Sequence, residues 1–318
     1  MKTLSPLTLC LLLSGVGSAV SADELVLRGA SFSPMETTWG EPFKIFVDHV
    51  NETGKGVIRI DAMGPEAIPA TEQPMAVRSG LLDVIATPPG MYKQVIAEAN
   101  AQDLSNLTLA EQRSSGGYEA LNQMARERLS AQMVTTYGPG VPFHLYLTQE
   151  VASSDDLKGL RVRSQPIFGP FFGSLGLSTS TIPIPETYTA LERGVVQGYG
   201  FPAWGVQDLG WDKLTKVRVE PGFYNVVVNV LMNKDRYDAL TPEQRKVIDD
   251  STAWFEAEMV SFQAQKSSEH RAAQDAAGIK SVDLGAEFAT TAANLYWETL
   301  ASANPENVKE LRGLLQRP

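Results

Sequence analysis

Apolar and polar positions follow two different periods along this chain, and the changes of period mark its elements. Glu24 to Arg28 and Val57 to Ala62 read as strands, the second with period two. Between them, Phe43, Phe46, Val47 and Val50 share one face of a helix predicted over Met35 to Asn51. Thr71 to Gly80 predicts another helix and Leu82 to Ala86 a third strand. This β-α-β-α-β order has the spacing of parallel crossovers. The order returns from Leu160, with a strand to Arg163, a short helix over Phe168 to Leu175 and a strand over Ser178 to Ile182. A helix over Pro185 to Arg193, with proline in its first turn, and a strand over Val195 to Tyr199 complete the second unit. Two such units predict two similar lobes, and a crevice between lobes is a preferred ligand site.

The connecting regions carry their own patterns. Leu109 to Leu129 predicts one helix with Arg113, Arg126 and Arg128 on its polar positions. Met133 to Thr136 and Phe143 to Thr148 predict strands able to cross between lobes, followed by Val217 to Val219 and Asn225 to Asn233. The last of these is rich in valine, which predicts burial on both faces. Thr241-Pro242-Glu243-Gln244 is a helix start, with a threonine cap, proline at the first helical position and glutamine at the third. No breaker follows until about Ala277, far beyond the usual ~8–20 residues. Such a polar helix is too hydrophilic to span a membrane and has no sustained heptad, so it is expected to brace both lobes. Helices over about Leu284 to Ala301 and Pro305 to Leu315 end the chain.

Composition narrows the class. Lys2, the apolar run Leu7 to Leu13 and the small residues up to Ala22 have the order of a secretory signal peptide. The apolar run is too short to span a bilayer. The expected product is exported to the periplasm and starts at Asp23. Cys10, the one cysteine, falls in that leader, so no disulfide or thiol chemistry is expected. Net charge is −10 without basic runs, which argues against nucleic acid and anionic membrane surfaces as partners. A cleft can still focus positive potential locally.

Catalytic signatures are missing. His49, His144 and His270 fall in three separate predicted elements and make no metal-ligand spacing. No Gly-x-Ser-x-Gly elbow and no phosphate-binding glycine loop occurs. His144, in a strand-like run, is expected to be a satisfied core histidine, and Asp155-Asp156 a solvated turn. No cofactor, no metal and no enzymatic activity are expected. The informative stretch is Asp155-Asp156-Leu157-Lys158-Gly159-Leu160-Arg161-Val162-Arg163-Ser164-Gln165-Pro166, a turn followed by a short strand. It alternates and then stops at a proline that cannot donate to a ladder. Arg163 therefore sits at the carboxyl end of a strand, the end that opens on the ligand crevice in open α/β sheets. There its guanidinium is either a fork for a carboxylate or one member of an ordinary surface ion pair.

Three motifs then carry a family resemblance. They are Asp156-Leu157-Lys158-Gly159-Leu160-Arg161-Val162-Arg163, Tyr188-Thr189-Ala190-Leu191-Glu192-Arg193-Gly194-Val195-Val196-Gln197-Gly198, and Met232-Asn233-Lys234 leading to Leu240-Thr241-Pro242-Glu243-Gln244. With Gly80-Leu81-Leu82-Asp83 they cover nearly the whole chain after the leader. In this order they resemble the solute receptors of TRAP transporters, the tripartite ATP-independent periplasmic uptake systems, of C4-dicarboxylate-receptor-like type. The resemblance implies an α/β, two-lobed periplasmic binding protein fold with an interlobe cleft and a long helix spanning both lobes. Residues 1–22 are then the signal peptide, 23–141 with 229–268 the first lobe, and 142–228 with 269–318 the second.

It further implies that Arg163 pairs with a ligand carboxylate and that closed protein delivers the ligand to TRAP permease membrane subunits, as a monomer. Where the family often has aspartate, this chain has Gln197. Where its sialic-acid receptors have asparagine, it has Phe201. Where some members carry a second arginine, it has Val141-Pro142. Polyhydroxylated and dicarboxylate ligands thus lose expected partners. Aromatic residues take their place: Phe168 after Arg163, Phe201 and Trp204 after a strand, Phe223 before the valine-rich run, and Tyr92 on the opposite wall. The expected ligand is a small organic acid, a monocarboxylate with an apolar or aromatic body. An amine or zwitterion held by the aromatics and Glu66 is the alternative, as is a receptor feeding a sensor protein.

Overall fold

The computed structural model describes residues 24–317. The signal-peptide expectation falls on residues outside that range. Along the chain lie β1 (Leu25–Ser31), α1 (Glu41–Thr53), β2 (Ile58–Met63), α2 (Gln73–Ser79), β3 (Val84–Thr87), α3 (Leu109–Ser114), α4 (Gly117–Arg128), β4 (Ala131–Tyr137) and β5 (Pro142–Leu147). The second half contains β6 (Arg161–Ser164), α5 (Gly169–Ser174), β7 (Ser178–Thr181), α6 (Ile184–Glu192), β8 (Gly198–Pro202), β9 (Val217–Glu220), β10 (Phe223–Asn225) and β11 (Val228–Asn233). Then follow α7 (Lys234–Asp238), α8 (Pro242–Ala276), β12 (Lys280–Asp283), α9 (Glu287–Ala303) and α10 (Pro305–Leu315).

These strands form two sheets. One has five strands in the order β2-β1-β3-β11-β4. The other runs β12-β9-β5-β8-β6-β7, with β10 added on β5. Parallel pairing of β1 with β2 and β3, and of β6 with β7 and β8, realises the two repeated units. The expected two-lobed α/β architecture is therefore present. Three described connections pass from one sheet to the other: the turn between β4 and β5, Val226-Val227 between β10 and β11, and α8.

Three departures from the predicted elements have local causes. The first helix starts at Glu41, not near Met35, because Gly40 packs against the Pro34 carbonyl and Thr37 closes a turn there. The predicted helix Leu109 to Leu129 divides at Gly116, which takes φ 84, a left-handed value that favours glycine. The predicted strand Asn225 to Asn233 is interrupted: Asn225 ends β10 in one sheet, Val226-Val227 cross over, and β11 starts at Val228 in the other.

Helix α8 matches its sequence signature. Thr241 Oγ1 accepts the Gln244 N–H at 3.3 Å, and the Gln244 side chain accepts the Thr241 N–H at 3.0 Å. Ile248, Phe255 and Met259 bury its first half against the core of the five-stranded sheet. Its second half reaches the other sheet through Gln274. That side chain accepts from Arg218 Nη1 at 2.5 Å and donates to the Ala203 carbonyl at 2.8 Å. Helix α9 packs on α5, and both α9 and α10 pack on the 3-10 stretch Ala97–Leu104.

Candidate functional site

Strand β6 ends the way its sequence requires. Val162 enters the main core while Arg163, its neighbour on the opposite face, points toward Trp211. Arg163 is only 4 % exposed. No carboxylate lies within ion-pair distance of it among the described residues. Its Nε donates to the Ile182 carbonyl at 3.1 Å and Nη1 donates to the Gly200 carbonyl at 3.2 Å. Burial alone lowers its pKa to about 10. A buried cation without an anion is costly unless something of opposite charge completes it. Arg163 is thus not a surface ion pair, and the open part of its fork suits a carboxylate.

The predicted aromatic residues separate into distinct environments. Phe201 meets Trp211, the ring that faces Arg163, with 4.8 Å between ring centroids. Trp204 instead stacks on Trp39 at 5.1 Å and donates from Nε1 to Ser267 of α8 at 3.1 Å. Phe168 and Phe223 face each other edge-on at 5.5 Å in the core with Phe171, Phe172 and Phe288. Tyr92 is buried under the five-stranded sheet and accepts from Asn229 Nδ2 at 2.8 Å. Glu66 is exposed, with Oε1 taken by the Gly64 N–H of its own turn at 3.0 Å. The structure therefore joins Phe201 to Arg163 only through Trp211, and records no contact of Glu66, Tyr92, Trp204, Phe168 or Phe223 with that guanidinium.

Gln197 also differs from its expected role. Its Oε1 accepts the Arg161 N–H at 3.0 Å and its Nε2 donates to the Gly194 carbonyl at 3.0 Å. The residue closes the amino end of β6, away from Arg163, so its difference from aspartate removes no partner beside that guanidinium. His144 is the satisfied core histidine expected, with Nδ1 2.9 Å from the Val219 carbonyl. Burial holds its imidazole below the ordinary value, against the pull of Glu220.

Sequence reasoning missed four features. Trp211 follows Gly210 in a loop without periodicity. Trp39 and Thr38 sit in the segment taken for helix. Thr38 Oγ1 donates to Asp208 Oδ2 at 2.6 Å, joining the loop after β1 to the loop after β8. Asp103 is a buried carboxyl, 5 % exposed, with Asn100 Nδ2 donating to it at 2.7 Å. Burial pushes its pKa up to about 8. A cavity of about 500 Å3 lies against α8, beside Leu107, Pro139, Gly140, Asn225 and Met259, and does not reach Arg163. Among the described residues no group of three His, Cys, Asp or Glu is placed to hold a metal, and no helix is long and apolar enough to cross a membrane.

A family model described as bacterial extracellular solute-binding protein, family 7, matches residues 29–300. A monocarboxylate 2-oxoacid-binding periplasmic protein of Nostoc sp. is 26% identical over 110 residues, 34% of this chain and 30% of that protein. An ectoine/5-hydroxyectoine-binding periplasmic protein of Ruegeria pomeroyi is 23% identical over 179 residues, 54% of this chain and 53% of that protein. The chain thus matches 30% to 53% of the length of these curated relatives. A TRAP periplasmic solute binding protein from Sulfitobacter sp., solved with bound beta-D-galacturonate, superposes with a TM-score of 0.78 at 17% identity. That match covers 91% of this chain and 99% of the other.

Proposed function

Because this chain belongs to the bacterial extracellular solute-binding proteins of family 7, we propose that it is a periplasmic receptor for a small monocarboxylate with an apolar or aromatic body. The family consists of receptors, not enzymes. The carboxylate docks on Arg163 between the lobes, the lobes close about the turn at Gly138–Val141 and about Val226-Val227, and water is excluded. The lobes are then residues 23–141 with 229–268 and residues 142–228 with 269–318, although β11 of the first lobe already begins at Val228. The closed, monomeric receptor delivers its ligand to TRAP permease membrane subunits after a signal peptide over residues 1–22 has been removed.

One observation carries this reading: Arg163 is buried beside Trp211, with no carboxylate among the described residues to neutralise it. The 2-oxoacid named for the Nostoc relative supports the monocarboxylate class. A second reading, a zwitterion, rests on the ectoine named for the Ruegeria relative and on aromatic faces able to receive a cation.

Thermal-shift measurements with pyruvate, benzoate, ectoine and galacturonate separate these. A ligand at a hundredfold excess over Kd stabilises by ~2.7 kcal/mol. Pyruvate or benzoate is expected to raise Tm in the wild type and to leave Arg163→Ala unchanged. A larger shift with ectoine favours the second reading, and a shift with galacturonate alone, or an undiminished shift in Arg163→Ala, overturns both.

A further inference from the structure

The guanidinium of Arg163 is held from three directions. The Ile182 carbonyl, just after β7, takes Nε–H, and the Gly200 carbonyl, within β8, takes one hydrogen of Nη1. On the third side lies Trp211, its ring centroid 6.0 Å from Cζ, at the edge of cation–π range. Trp211 is itself fixed. Its ring meets those of Tyr199 and Phe201 edge-on, each at 4.8 Å. Its N–H donates to the Val206 carbonyl at 3.1 Å and its carbonyl accepts Thr215 Oγ1 at 2.8 Å. The Thr215 hydroxyl lies 2.7 Å from that of Tyr199.

A free guanidinium offers a carboxylate two forks, one side-on through Nε and Nη2 and one end-on through the two Nη groups. The Ile182 carbonyl occupies Nε and so closes the side-on fork. We propose that Trp211 is a positioning residue that, with these two carbonyls, locks Arg163 so that only its end-on fork is offered to an anion. An end-on fork receives a terminal, unhindered carboxylate whose body continues along the guanidinium axis. The lock stands on geometry alone. That its anion is a ligand carboxylate rests on the reading given under Proposed function.

Nitrogen-15 spectra of the arginine guanidinium groups test the lock without any ligand. A locked guanidinium rotates slowly and exchanges slowly with water, which gives separate Nη lines. Arg218 is the internal control, since it is equally buried and donates to Glu220, Gln274 and Ser281. Arg163→Lys identifies the Arg163 lines. In Trp211→Ala the Arg163 lines are expected to merge while those of Arg218 persist, and Trp211→Phe, which keeps a ring, is expected to restore the separation in part. Separate Arg163 lines in Trp211→Ala overturn the inference. If the Arg218 lines merge as well, that variant has lost its fold and Trp211→Phe decides: Arg163 lines as sharp as in the wild type overturn the inference, and partial merging supports it. Acetate serves as the minimal carboxylate. It is expected to shift the wild-type Nη lines and to shift those of Trp211→Ala at least tenfold more weakly. Acetate that moves the lines equally in both proteins overturns the inference, and acetate that moves neither overturns the carboxylate anchor while the line separation still judges the lock.

Discussion

Two buried ionisable residues stand out because no group of opposite charge among the described residues pairs with them. Arg163 is a buried cation, 4 % exposed, and Asp103 a buried acid, 5 % exposed, near Tyr92, Tyr224 and Tyr296, whose phenols feel its charge. The carboxyl of Asp103 titrates at about 8 in the folded protein but near ~3.9 in an unfolded chain. The folded state therefore holds a proton that the unfolded state has released, and stability falls as pH rises between those values. Asp103→Asn keeps an acceptor for Asn100 and removes the titration. It is expected to flatten that slope and to be more stable than wild type at pH 8 by on the order of a few kcal/mol. Urea titrations at pH 5 and pH 8 check this, and equal pH dependence in both proteins would contradict it. The place of Arg163 near the carboxyl end of β6 was legible in the sequence because the alternation around Val162 and the stop at Pro166 are local. Trp211 was not, because it reaches Arg163 from a loop whose sequence has no period.

The same division between local and distant causes appears among the elements. Helix α8 was legible to within a residue because Thr241, Pro242 and Gln244 fix its start without help from the rest of the fold. Met35 to Trp39 misled because apolar spacing says nothing of Gly40 resting on Pro34. Asn225 to Asn233 reads as one strand, yet β11 starts only at Val228, after a crossover from β10, and a crossover is not written in a valine run. The aromatic core of Phe168 and Phe223 shows the same limit: composition around a strand end does not say whether a ring faces a ligand or a helix. Two substitutions test how α8 is held. Thr241→Ala removes the cap and should lower stability by about 1 kcal/mol. Gln274→Ala strips a hydrogen bond from the buried Arg218 and should cost about 1–3 kcal/mol. Urea midpoints measure both, and a Gln274→Ala protein as stable as the wild type would mean that Arg218 has other support.

At the scale of the molecule, the lobes meet where the loop after β1 touches the loop after β8. Trp39 stacks on Trp204 at 5.1 Å, and Thr38 bonds Asp208 at 2.6 Å. The Trp39–Trp204 contact is backed by α8 through Ser267. Asp208→Ala removes only the polar half of this contact. It is expected to enlarge the radius of gyration of the unliganded protein in small-angle scattering, with folding stability unchanged to within about 0.5 kcal/mol. An unchanged radius would show that the aromatic stack alone holds the lobes. The two-lobed plan itself was legible because the β-α-β-α-β order occurs twice. The meeting of the lobes was not, since it joins residues far apart in sequence.

A crystal structure of the chain with pyruvate or benzoate, whichever raises Tm, tests the account most directly. The expected result is a ligand carboxylate at about 2.7–2.9 Å from the Nη atoms of Arg163, between the lobes and beside Phe201. A carboxylate bound elsewhere, with the Arg163 guanidinium still held only by the carbonyls of Ile182 and Gly200, would contradict it.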